Sequence, residues 1–271
     1  LIGSCLLQSA RQFASGWSVV APGRTELDLT DLSGVRAFFA AHRPKLLIHC
    51  AALSRSPACQ ENPRLARTLN VEVTARLAEA AADIPFIFYS SDLVFDGKKG
   101  NYNETDLTNP LSVYAETKVE AERIVLANPL HTVIRISLNG GTSPTGDRGF
   151  NEQMRRAWEA GQVLRLFTDE FRCPMPAIVT ARAVWELAQL NTSGLYHLGG
   201  SERLSRWRIG ELVAARCPQL HPRIESASIS QYQGAPRPAD TSLDSSRIQQ
   251  LLSFQLPGLT EWLNSNPNEP F

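Results

Sequence analysis

The chain has 271 residues, 43% of them hydrophobic and 20% charged, enough to bury a full core as one large domain or two unequal lobes. Its 27 basic and 27 acidic residues cancel, which removes the charge excess that a nucleic-acid or anionic-membrane partner draws on. No apolar run approaches the roughly 20 residues of a membrane helix, no signal-peptide pattern opens the chain, and five scattered cysteines (Cys5, Cys50, Cys59, Cys173, Cys217) without CxxC pairing argue against zinc or a disulfide framework and for a reducing, cytoplasmic setting.

In chain order, the apolar spacing of Leu6, Leu7, Ala10 and Phe13 predicts a helix at the very start. Trp17 to Ala21 reads as a strand closed by Pro22-Gly23, and Asp28-Leu29-Thr30-Asp31 as the cap of a helix reaching about Ala41. Lys45 to Cys50 is a second buried strand, leading into the small residues Ala51-Ala52. A long helix is expected from about Arg64 to Ala82, then a strand, Pro85-Phe86-Ile87-Phe88-Tyr89, ending at Ser90. The stretch from Asp96 to Pro110 has no periodicity. A helix from about Val113 to Ala127 and a strand from Thr132 to Ile136 complete the regular alternation. Later come a strand at Gly194 to Leu198, a helix at Trp207 to Ala215 and a last helical stretch near Ser245 to Leu252.

This alternation predicts an α/β fold, a Rossmann-type doubly wound parallel sheet. Residues 1–140 would form the dinucleotide-binding core, and 141–271 mainly a smaller substrate lobe, with 177–198 returning to the core. Such folds open with a strand and a glycine-rich turn that holds the pyrophosphate. Here only the tail of that turn is visible, with Gly3 in the place of its last glycine. About ten further residues carrying the first strand are therefore expected, and poor cofactor binding in a chain without them. At the end of the next strand, where an acidic residue would select NAD, stands Arg24. An arginine suits the 2′-phosphate of NADP, so NADP(H) is the first expectation and NAD(H) the second. A solvated loop arginine is the plain alternative.

The chemistry concentrates in two blocks. The strand ending at Ser90 delivers Ser90 and Ser91 to the carboxyl end of the sheet, where open α/β sheets place their ligands. Tyr114 and Lys118 then sit four apart on a helix, one face carrying a phenol and an ammonium. Lys118 is one of only four lysines. A hydroxyl, a phenol and a lysine facing a cofactor cleft make a proton-donating site for carbonyl reduction. Each has a simpler use: a serine after a strand often caps a turn, and a Tyr–Lys pair often only packs.

The blocks in their order resemble the extended short-chain dehydrogenase/reductases, and within them the dTDP-4-dehydrorhamnose reductases. The resemblance runs from His49-Cys50-Ala51-Ala52 through Asn70-Val71-Glu72 and Ser90-Ser91-Asp92-Leu93-Val94-Phe95-Asp96-Gly97. It continues through Glu104-Thr105-Asp106, Asn109 to Tyr114 and Lys118, and ends with Arg237-Pro238-Ala239-Asp240-Thr241-Ser242-Leu243-Asp244. It implies Ser91, Tyr114 and Lys118 as the catalytic set. Tyr114 would be the proton donor, its phenol pulled down by Lys118, and Ser91 would also hold the substrate oxygen. It implies that Ala51 and Ala52 approach the cofactor, that Asp28-Leu29 lie against its adenine, and that Tyr114 and Lys118 touch its nicotinamide ribose. Arg237 would close over the nucleotide of a nucleotide-sugar substrate, in a chain acting alone, as a homodimer or with a partner enzyme.

Two stretches depart from that pattern, Leu53-Ser54-Arg55-Ser56-Pro57-Ala58 and Asp169-Glu170-Phe171-Arg172-Cys173-Pro174, both where the sugar would be read. The chain is also similar to the regulatory β subunit of methionine adenosyltransferase, which leaves open a cofactor-binding regulatory protein without turnover. An epimerase or dehydratase that retains its cofactor is a third reading.

Overall fold

The structure is a computed structural model that describes all residues, 1–271. Helix α1 (Ile2–Phe13) and helix α2 (Leu32–His42) precede the first strand, β1 (Leu47–His49). Asp31 caps α2 by accepting the Ser33 N–H. Three short helical pieces follow: α3 (Ser56–Glu61), α4 (Pro63–Arg67) and, after a wide π turn at Thr68–Glu72, α5 (Val73–Ala80). Then come β2 (Phe86–Ser91), α6 (Val113–Leu126), β3 (Thr132–Ile136) and β4 (Asn139–Gly140). The later half contains α7 (Phe150–Glu159), β5 (Val163–Phe167), β6 (Phe171–Arg172), β7 (Met175–Pro176), α8 (Ala177–Leu190), β8 (Gly194–Leu198) and β9 (Leu204–Ser205). The chain ends with α9 (Arg206–Arg216), β10 (Arg223–Ala227), α10 (Ser246–Gln249) and α11 (Leu259–Ser265).

The central sheet runs β1-β2-β3-β8, with every pairing parallel. All six residues of β2 are buried, as a central parallel strand covered on both faces must be. Side chains alternate along it, and the core divides accordingly. Ile87 and Tyr89 join Ile134 in a cluster with α1 and α8. Phe86 and Phe88 join Val133 in another with α2, α5 and α6. Residues 177–198 supply α8 and β8 to this layered body. A third cluster, built on Phe150, Trp158, Leu166, Ile209 and Leu259, forms the later lobe. There β5 pairs in parallel with β10, some sixty residues downstream.

The strand expected at Trp17 to Ala21 does not form; these residues are irregular, with Val20 56% exposed. A strand needs a neighbour for its backbone groups, and β1 pairs only with β2, so no strand lies beside this segment. The single helix expected from Arg64 to Ala82 is interrupted at Thr68–Glu72. The helical stretch near Ser245 to Leu252 stops at Gln249, whose side chain bonds the Phe254 carbonyl and the Leu256 N–H and folds the chain back. No helix is long and apolar enough to cross a membrane, and all five cysteines are free.

Candidate active site

Ser91 is the last residue of β2, level with Ile136 of β3. Its hydroxyl caps the following turn, accepting the Leu93 N–H at 3.2 Å and donating to Asp92 Oδ1 at 3.2 Å. Ser112 caps α6, which fixes where that helix begins and so places Tyr114 in its first turn and Lys118 one turn on. Ser91, Tyr114 and Lys118 are 7%, 9% and 3% exposed. Ser90 points elsewhere and is 2% exposed, its hydroxyl without a protein partner.

Burial, reinforced by the charge of Asp92, pushes the Tyr114 phenol above its ordinary value, while the Ser91 hydroxyl draws it back. The expectation from sequence was that Lys118 pulls this phenol down. Instead, the Lys118 ammonium lies over the Phe88 ring at 4.1 Å, and removal from water outweighs its neighbours. Burial lowers Lys118 to about 7, against the upward pull of Glu122 and Cys50.

Asp92 is buried, and its carboxyl is raised by burial against the pull of Arg172 and of the Ser137, Thr241 and Ser91 hydroxyls. Ser137 donates to Asp92 Oδ2 at 2.9 Å, and Arg172 Nε lies 3.8 Å from the same oxygen. Arg172 also reaches Glu170 at 3.1 Å and bonds Thr241. Glu170 in turn holds Arg237 at 2.7 and 2.9 Å. A chain of ion pairs thus runs Asp92–Arg172–Glu170–Arg237.

Arg237 opens onto a cleft of about 420 Å³ whose wall includes Arg165, Phe167, Arg206 and Tyr232. Its guanidinium sits 5.4 Å from both the Phe167 and the Tyr232 ring. Arg206, the first residue of α9, faces the same cleft, lowered to about 10 by burial against the upward pull of Glu170. Guanidinium groups beside aromatic faces suit an anionic group joined to a ring.

Two of the sequence blocks meet behind the site. Gly97 has φ +76°, and a Cβ there would stand 2.5 Å from the Ala239 N; its carbonyl accepts the Asp240 N–H. Only glycine fits, and the turn after Ser91 is thereby locked to the segment carrying Arg237.

The remaining candidates lie around the amino half of the sheet. Gly3 packs on Cys50, with room for a Cβ only at 3.3 Å. Arg24 is exposed and has no carboxylate within 4.0 Å. Asp28 is exposed and accepts the Thr30 N–H and hydroxyl, while Leu29 packs toward the core beside Val35 and Phe39. Ala51 and Ala52 are exposed at the carboxyl end of β1.

The residues fit a dinucleotide at its nicotinamide end: a buried ammonium without a carboxylate salt bridge, a phenol one turn away, and small exposed residues after β1. Asn70 supports this arrangement and was not singled out for a role from sequence. From the π turn it brackets the Leu53 backbone, accepting its N–H at 2.8 Å and donating to its carbonyl at 3.1 Å, and it bonds Thr117 beside Lys118. An asparagine between Leu69 and Val71, well inside the helix expected from Arg64 to Ala82, was the available signal. Asp92, Glu170, Arg172 and Arg206 were likewise not predicted as site residues.

The RmlD substrate binding domain model matches residues 1–267. Over 96% of its length the chain is 30% identical to the probable low-salt glycan biosynthesis reductase Agl14 of Haloferax volcanii, covering 92% of that protein. It is 28% identical to the methionine adenosyltransferase 2 subunit beta of Bos taurus, over 87% of this chain and 73% of that one. It is 28% identical to the dTDP-4-dehydrorhamnose reductase of Sinorhizobium fredii, over 90% and 86%. The crystal structure of a dTDP-4-dehydrorhamnose reductase from Bacillus anthracis in complex with NADP matches with a TM-score of 0.88, covering 97% of this chain and 94% of that one at 19% identity, a likeness of fold.

Proposed function

The chain belongs to the RmlD substrate binding domain family, and on that premise we propose that it is an NAD(P)H-dependent oxidoreductase that reduces the 4-keto group of a deoxysugar nucleotide, dTDP-4-dehydrorhamnose first, with Tyr114 as proton donor. One observation carries the reading. Tyr114 and Ser91 are buried together at the carboxyl end of β2, one chain of ion pairs away from a cleft lined with arginine and aromatic side chains.

When bound, NAD(P)H supplies the hydride that reduces the carbonyl carbon. Ser91 donates to the carbonyl oxygen by turning its hydrogen away from Asp92, while its oxygen stays anchored by the Leu93 N–H. Tyr114 enters the reaction protonated, because burial and Asp92 disfavour its phenolate. It passes that proton to the developing alkoxide. The negative charge left on the phenol is then met by the Ser91 hydroxyl and by Lys118, whose charged form it favours in return. Arg206 and Arg237 receive the diphosphate, with Phe167 and Tyr232 flanking the nucleoside. Arg24 would take the 2′-phosphate of NADP(H) at the exposed end of the site; NAD(H) is the alternative cofactor. Ala51, Ala52, Gly3, Asp28 and Leu29 line the cofactor's path.

The likeness to the methionine adenosyltransferase 2 subunit beta supports a second reading, a cofactor-binding regulator of a partner enzyme. Product analysis separates them. A reductase accumulates NADP⁺ mole for mole with reduced sugar when given NADPH and dTDP-4-dehydrorhamnose. An epimerase or dehydratase converts sugar with no net NADPH loss, and a regulator binds NADPH without converting sugar.

A further inference from the structure

Arg172 stands in one of the two stretches that depart from the family pattern, yet the residue is 3% exposed and its guanidinium reaches the centre of the site. It lies 3.8 Å from Asp92 and 3.1 Å from Glu170, and it bonds the Thr241 hydroxyl. Asp92 is the immediate neighbour of Ser91 and accepts its hydroxyl. We propose that Arg172 is a positioning residue for the reaction: bridging Glu170 and Asp92, it holds Asp92 as a carboxylate, which only accepts hydrogen bonds, so that Ser91 keeps its oxygen on the Leu93 N–H and its hydrogen free to pass from Asp92 to the substrate oxygen.

The two states of a carboxyl differ in what they can bond. An ionised carboxylate only accepts hydrogen bonds, whereas a protonated one also donates. With Asp92 ionised, Ser91 and Ser137 must both point their hydrogens at it across oxygen separations of 3.2 and 2.9 Å. Ser91 Oγ then has a lone pair for the Leu93 N–H, and every group around Asp92 has one consistent role. A protonated Asp92 would direct its own hydrogen at Ser91 or Ser137 and leave two competing arrangements.

A carboxyl as buried as Asp92 gives up its charge unless a cation stays beside it. The groups facing it are Ser91 and Ser137 from the ends of β2 and β3, Tyr114 from α6, Arg172 and Cys173 from β6 and the turn after it, Thr241 from the later segment, and Arg206 at greater distance. Of these, only Arg172 puts a formal charge within 4.0 Å. Glu170 keeps Arg172 in place from behind. Glu170 is also the carboxylate that grips Arg237, so the same chain of charges joins the oriented serine to the nucleotide cleft.

The inference rests on the proposed reductase reading for its catalytic half, and its test is built to separate the two. The carbon-13 carboxyl resonance of Asp92, assigned by its loss in Asp92→Asn, is followed against pH in the unsubstituted protein, in Arg172→Met and in Arg172→Lys. Loss of an opposite charge at this distance should raise the midpoint by about 1–3 pH units in Arg172→Met, and by less in Arg172→Lys, which keeps a cation and stands in if the methionine variant does not fold. The acid limb of kcat should move up with that midpoint, and kcat itself should fall about tenfold to a hundredfold as a protonated Asp92 donates to Ser91 and disturbs its hydrogen bonds to the Leu93 N–H and the substrate. In an Asp92→Asn background, Arg172→Met should no longer shift the limb. An unmoved carboxyl midpoint overturns the assignment whether or not the protein turns over. A midpoint that moves while the kcat limb stays overturns the positioning role. Absence of turnover in the unsubstituted protein defeats the reductase reading alone and leaves the carboxyl test standing.

Discussion

Glu170 and Arg237 form a two-pronged ion pair, Nε to Oε2 at 2.7 Å and Nη2 to Oε1 at 2.9 Å, in which the carboxylate is 1% exposed and the guanidinium 33%. The fork is therefore preformed and aimed. Glu170 fixes the plane of the guanidinium, and its open edge faces the cleft with Phe167 and Tyr232. A planar donor fork matches a phosphate in a way that an ammonium does not. Arg237→Lys should raise KM for the sugar nucleotide by about tenfold, with kcat changed little, since about one charge-assisted hydrogen bond is lost. Steady-state kinetics on the two proteins checks the split; an unchanged KM would remove Arg237 from substrate binding.

Burial holds Lys118 at about 7, well under its ordinary 10.5, despite Glu122 and Cys50. Between about pH 7 and 10.5 the unfolded chain carries a proton there that the folded chain does not, so folding becomes more favourable as pH rises through that window. Below it, both states are protonated and the cost of burying the charge is complete. Lys118→Met should thus be more stable than the unsubstituted protein by a few kcal/mol near pH 6, since each pH unit of that window is worth about 1.4 kcal/mol. That advantage should vanish by about pH 10. Urea unfolding of both proteins across this range tests it, and an advantage independent of pH would show that the buried charge is not its source.

Arg135 and Glu122 form a buried pair at 2.7 Å, their side chains 5% and 4% exposed, between β3 and α6. The Arg135 guanidinium also lies 5.0 Å from the Phe95 ring centroid, and its Nη1 is 3.3 Å from His197 Nε2. Arg135→Met strands the Glu122 carboxylate in the core and should cost about 3–5 kcal/mol of stability. Arg135→Met with Glu122→Met should cost clearly less, because neither charge is then left unpaired. Denaturant melts of the single and double variants give the comparison, and equal losses would show that the pair is not what the core depends on.

The parts of the fold that could be read from sequence are those whose partners are near in the chain. Phe86 to Tyr89 announces a strand covered on both faces, and Ser112 with the apolar spacing behind it announces α6. The strand expected at Trp17 to Ala21 had the right composition and no neighbour to pair with, which composition cannot reveal. The lobe was largely illegible for the opposite reason. Val163–Phe167 becomes a strand only because Arg223–Ala227 comes to lie beside it. In the site, Ser91, Tyr114 and Lys118 stand in short recurring spacings, but Asp92, Glu170, Arg172 and Arg206 belong to it through contacts made across as many as 80 positions, as between Asp92 and Arg172. Spacing places Lys118 and Tyr114 on one helix face but says nothing of how deeply each is buried, and burial is the largest influence on both.

The proposed chemistry stands or falls on the proton of Tyr114. Single-turnover oxidation of enzyme-bound NADPH by dTDP-4-dehydrorhamnose should be followed in the unsubstituted protein and in Tyr114→Phe, with NADPH affinity measured alongside. Removing the phenol should slow the step by about 10²–10⁴-fold, the usual worth of a positioned general acid, while NADPH affinity stays within a few-fold. Oxidation at an undiminished rate in Tyr114→Phe would contradict the role of Tyr114 as proton donor.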